Sequence, residues 1–138
     1  MDSKSDFDSE AILGELNDIV HKYDVPFDVQ TVPNIQEWSS AQGIVEENSS
    51  RSGAVFRNIE NGRYLVVLAN PITSDMIRSA IEAMLMNDFG DATDALWEPK
   101  KFVTHLLLHE VAHALDHSRT ERQCDEWAFH QLGIRCAV

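Results

Sequence analysis

At 138 residues, with 43% apolar and 25% charged side chains, the chain has the length and composition of one folded domain with its own core. Its formal net charge of -12, from 23 acidic against 11 basic residues with no basic cluster, argues against direct nucleic-acid binding. No apolar run approaches the ~20 residues needed to cross a bilayer. Met1 to Glu10 lacks an apolar secretory core, and two cysteines, Cys124 and Cys136, are too few for a disulfide framework, so a cytoplasmic protein with reduced thiols is expected.

The first helix is expected to start near Asp8 or Ser9. Ile12, Leu16, Ile19, Val20 and Tyr23 recur at helical spacing, Phe7 is placed to staple the start, and Pro26 follows the stop. Phe27 and Val29 alternate as a short strand before Pro33. Gln42 to Ser52 reads as a polar loop or weak edge strand. The clearest β signal runs from Gly53 to Ala69, where Ala54–Ile59 and Tyr64–Ala69 flank Asn61-Gly62, a dipeptide suited to a type I′ hairpin turn. Asn70-Pro71 ends that hairpin.

A second helix is expected from about Ser74 to Asn87, with Ile77, Ile81, Met84 and Leu85 on its apolar stripe and Met76, Met84 and Met86 filling core space. Phe89 to Pro99 then reads as a connection able to act as a flap over a cleft, anchored by Trp97. Exposure of Trp38 or Trp97 would point to self-association.

From Lys100 the chain runs KKFVTHLLLHEVAHALDHSRTERQCDEWAFHQLG. Phe102 to Leu115 is helical by pattern, with broad apolar coverage that marks a largely buried helix. Within it lies His109-Glu110-Val111-Ala112-His113. Histidines four apart stand one turn above each other, so their imidazoles can converge on one tetrahedral ion. Glu110 lies beside that face, where it can reach water on the metal. This is the constellation that lets zinc acidify water while a carboxylate takes its proton.

A third protein ligand is then required. Glu121 opens a second short helix continued by Asp125, Ala128 and Leu132, and the polar segment Asp116 to Thr120 can turn the chain back so that Glu121 meets His113. Asp125, one turn on, is placed to orient a ligand histidine through its distal nitrogen. The rival is His117, but on a straight helix it stands about 12 Å from His109 along the axis, so it could ligate only if the helix breaks near Asp116. Another residue, or water, is the remaining alternative. His105 reads as a supporting or rim histidine.

The run THLLLHEVAHALDH followed by ERQCDEWAFHQL resembles the gluzincin-type metallopeptidases, nearest in pattern to the ImmA/IrrE-like group. The resemblance covers Thr104 to Leu132. It implies that His109 and His113 are zinc histidines, Glu110 the catalytic glutamate and Glu121 the ligand glutamate. Cys124-Asp125 falls on that group's Ala-Asp or Ala-Asn pair and Trp127-Ala128 on its aromatic-alanine pair. The spacing from His113 to Glu121 is shorter than in that group, and Ala112 stands where glycine is often found.

The expected fold is α+β: a single zincin-like domain over residues 1–138, with a small sheet, the HExxH helix and a following ligand helix. The expected activity is zinc-dependent hydrolysis of peptide bonds, with a protein or peptide substrate lying along the sheet edge and Tyr64, His117 or Arg119 near the oxyanion. The acidic surface suits a basic substrate or partner, such as a DNA-binding protein. The competing reading is a non-catalytic zinc-containing interaction or inhibitor protein on the same scaffold.

Overall fold

The computed structural model describes residues 6–42, 52–57 and 60–134. Its sheet is built around the most apolar run of the chain. Strand β3, Tyr64–Ala69, is the central of three strands and buries five of its six side chains, as a strand covered on both faces should. Strand β1, Phe27–Val32, lies parallel to it in the register Phe27↔Tyr64 to Val32↔Ala69. Strand β2, Gly53–Arg57, lies antiparallel on the other side, from Gly53↔Leu68 to Arg57↔Tyr64.

The hairpin expected between Gly53 and Ala69 is therefore present, but its connection is not a type I′ turn. That turn needs positive φ at two successive residues. Here Gly62 has φ 72° while Asn61 does not, and Asn61 Oδ1 instead accepts from the Arg63 amide at 2.9 Å. Asn58 and Ile59, and nearly all of the Gln42–Ser52 stretch, lie outside the described residues.

Five α-helices accompany the sheet among the described residues, α1 (Leu13–Val20), α2 (Ile35–Ala41), α3 (Ser74–Met86), α4 (Pro99–Leu115) and α5 (Glu121–Gln131), and of these α1, α2 and α4 pack on its strands. Side-chain caps mark several starts. Asp8 caps the 3-10 turn Ser9–Ile12 that leads into α1, Asn34 caps α2 and Thr73 caps α3. Pro99 occupies the first turn of α4, where its missing N–H costs nothing. Short α2 carries too little apolar periodicity to announce itself and is an addition to the sequence reading.

Helix α4 is apolar nearly all round, and Phe102, Val103, Leu107, Leu108 and Val111 are all buried. It packs against β2 closely enough that a Cβ on Gly53 would meet Leu106 Cγ at 3.1 Å. The Phe89–Pro99 connection is not a flap. It forms a 3-10 helix over Gly90–Trp97 that buries Phe89, Ala92, Thr93 and Leu96, while Trp97 stays 54% exposed and anchors little. Met84 is in the core and Met86 is exposed, so core filling accounts for the first and not the second. No described helix is long and apolar enough to cross a membrane.

Candidate metal centre

The site is made where α5 folds back on α4. Helix α4 stops at Leu115 because Asp116 turns extended, with φ -152° and ψ 99°. The Asp116 carboxylate accepts from both the amide and the hydroxyl of Ser118, which tightens the turn. Thr120 then opens α5 with a reciprocal capping box to Gln123. Arg119 donates to the Ala112 carbonyl at 3.0 Å and lies over the Trp127 ring, tying the end of α4 to the flank of α5.

This return brings α5's acidic face onto α4's histidine face. Glu121 spans the two motif imidazoles: Oε1 lies 3.0 Å from His109 Nε2, and Oε2 lies 2.6 Å from His113 Nε2. One turn on, a single oxygen of Asp125 accepts from His109 Nδ1 at 2.8 Å and from His105 Nε2 at 3.0 Å. With Nδ1 committed to Asp125, His109 presents Nε2 toward His113 and Glu121. This is the tautomer and orientation that a metal-ligating histidine is given by a carboxylate behind it. Two convergent imidazole nitrogens and a carboxylate form a donor set that suits zinc.

Electrostatics follows from this geometry. Burial works against a charged His109, but its bonds to Asp125 and Glu121 prevail and raise it to about 10. Those from His109 and His113 hold the Glu121 carboxyl far below the usual carboxylate range. Protonation and metal binding compete for the same Nε2 lone pair, so uptake of an ion here releases protons. Burial lowers His105 against the pull of Asp125, and in the tautomer that donates from Nε2 to Asp125 its Nδ1 is a bare acceptor. Among the described residues that atom has no hydrogen-bond partner, and the ring lies tilted against Phe129 at 4.4 Å.

Glu110 points off the histidine face and is only 6% exposed. Burial raises its carboxyl to about 7, against the pull of His109 and His113. Beside it a cleft of about 410 Å³ opens between α3 and α4. His109, Glu110 and Glu121 are among its lining residues, together with the apolar Met76, Met84 and Leu106, and no residue of Phe89–Pro99 lines it.

The remaining sequence candidates sit elsewhere. The helix does break at Asp116, yet His117 Nε2 faces the Tyr64 hydroxyl at 3.1 Å instead of the motif histidines. Tyr64, His117 and Arg119 are all absent from the cleft lining. Cys124, expected from the sequence to be a reduced thiol, was not weighed there as a metal donor. Its sulfur and a ring nitrogen from each of His109 and His113 all lie within 4.8 Å of one another. Its signal was the spacing Glu121-x-x-Cys124-Asp125, which puts all three on one helical face.

If Asp125 aligns His109, Asp125→Ala is expected to weaken zinc affinity by about 10–100-fold. Competition with a chromogenic chelator reads this, and an unchanged affinity would remove Asp125 from that role.

An HExxH helix backed by a second, acid-bearing helix is a zincin-like metal-binding motif, consistent with a gluzincin-type arrangement. Comparison with known protein families, curated proteins and solved structures gives no match to the chain, so the functional reading rests on the chemistry of the site.

Proposed function

We propose that the chain is a zinc-dependent endopeptidase in which His109, His113 and Glu121 hold the ion and Glu110 is the general base. The observation that carries this reading is the open cleft beside Glu110. A purely structural zinc site is closed by its protein ligands and needs no adjoining groove, whereas a catalytic one keeps space for water and substrate.

The bound ion supplies Lewis acidity, polarising the scissile carbonyl and lowering the pKa of water. The protein's own residues do the rest. Asp125 holds His109 in its ligating orientation, and Glu110, buried at the cleft wall, takes a proton from the attacking water and hands it to the leaving amine. The apolar side chains of the cleft lining exclude water from around a substrate side chain, and β2, an outer strand of the sheet packed on α4, offers backbone groups for an extended peptide. With a net charge of -12, basic protein substrates are favoured, a DNA-binding protein among them, and the cytoplasm is the proposed location.

Purified protein should carry about one zinc per chain by elemental analysis, and hydrolysis of a degenerate peptide library should stop on chelation and return with zinc. Less than a tenth of an equivalent, with no uptake of added zinc, removes the metal reading. Among the ligands, Glu121→Ala should weaken zinc binding far more than His117→Ala, since Glu121 spans both imidazoles and His117 faces Tyr64. The reverse order would transfer the third ligand to His117. A second reading, a zinc-containing interaction or inhibitor protein without turnover, is favoured by one observation: a thiol stands close to both histidines.

A further inference from the structure

Among the described residues, the one thiol beside the site is left unused by the proposed chemistry: Cys124, fully buried on α5. It follows Glu121 by three positions and precedes Asp125 by one, so it shares the face that meets α4. Its Sγ comes within 4.8 Å of a ring nitrogen of His109 and of His113. Around a tetrahedral zinc, with Zn–S about 2.3 Å and Zn–N about 2.0–2.1 Å, a sulfur and a nitrogen sit about 3.5 Å apart. The separation exceeds that by no more than about 1.3 Å, which a change in χ1 of one small side chain can close. A buried cysteine is commonly a small apolar filler. This one instead faces two imidazoles and lies beside Glu121, and thiolate is among zinc's preferred donors.

We infer that Cys124 is a fourth protein donor to the ion held by His109 and His113, completing with Glu121 a closed centre in which sulfur takes the position a catalytic water needs. The inference rests on the metal reading above and adds a resting state to it. On coordination the thiol gives up its proton to solvent and the sulfur–zinc bond forms. On opening, that bond breaks, sulfur regains a proton and water enters beside Glu110. The peptidase is thus latent until Cys124 lets go.

Cobalt(II) loaded in place of zinc reports the donors directly, because thiolate on cobalt gives a near-ultraviolet charge-transfer band that nitrogen and oxygen donors do not. The full chain carrying Cys136→Ser is used, so that any sulfur signal belongs to Cys124. The expected spectrum shows that band together with visible ligand-field bands. Adding Cys124→Ser should abolish the first and keep the second, and in the zinc protein should raise peptide hydrolysis. Ligand-field bands without a charge-transfer band overturn the inference and leave the three-donor centre standing. No ligand-field bands at all overturn the metal reading and this inference with it. If Cys124→Ser does not fold, X-ray absorption of the zinc-loaded Cys136→Ser protein decides. A sulfur scatterer at about 2.3 Å supports the closed centre, and a shell of nitrogen and oxygen alone overturns it.

Discussion

Glu110→Gln is expected to keep the fold and the ion while lowering peptide hydrolysis by about 10²–10⁴-fold. Glutamine preserves the shape of the side chain and can still hydrogen-bond to water, but it cannot accept water's proton at neutral pH. Zinc content should not change, because Glu110 lies off the face from which His109 and His113 present Nε2. Stability should not fall either. Burial raises the Glu110 carboxyl from its ordinary range to about 7, so folding takes up a proton there, and this residue's contribution to stability decreases as pH rises from about 4.5 to about 7. An uncharged amide removes that dependence, and above pH 7 the variant should melt at or above the wild-type temperature. Hydrolysis at the wild-type rate by zinc-loaded Glu110→Gln would remove Glu110 from the chemistry. An equal loss of zinc and activity would make it a ligand.

Phe129→Ala has the largest expected effect on the fold. The ring is fully buried, packs on Phe89 at 5.4 Å between centroids and lies against His105 at 4.4 Å. Truncating a buried phenylalanine costs about 3–5 kcal/mol through lost transfer energy and the cavity left behind. Against a total stability of about 5–15 kcal/mol that is a severe loss. It falls on the contact that seats α5, so the positions of Glu121 and Asp125 should loosen along with global stability. Denaturant unfolding reads the first effect and chelator competition the second. A loss below 1 kcal/mol would show that α5 is held by its polar contacts with α4 alone.

The metal helix was legible because its information is local: two histidines and a glutamate at fixed spacing in an apolar run. Helix α5 was legible for a similar reason, since Glu121, Asp125, Ala128 and Leu132 recur at helical spacing, although its Thr120–Gln123 capping box went unread. What escaped lies in relations between distant segments. The parallel pairing of β1 with β3 leaves no sequence mark comparable to a hairpin's. Phe89–Pro99 reads as a loop from Gly90, Asp91 and Asp94, yet Phe89, Ala92, Thr93 and Leu96 recur every three to four residues and go into the core. Helix α4's uniform apolarity signalled burial without signalling which neighbour each histidine would meet. The contact of His105 with Asp125, twenty positions on, depended on how the Asp116 turn aimed the returning chain.

The oxygen that Asp125 shares between His105 and His109 also acts on the motion of the site. It fits between two successive turns of α4, and a slide of one residue, about 1.5 Å, would pull it off both imidazoles at once. Helices α4 and α5 are therefore keyed like teeth against sliding along one another. The opposite wall of the cleft is α3, which packs mainly on the Gly90–Trp97 segment and reaches α5 through the Arg122 contact with the Asn87 carbonyl. Of the two walls, α3 is therefore the one that the shared Asp125 oxygen does not lock to the metal-bearing helix.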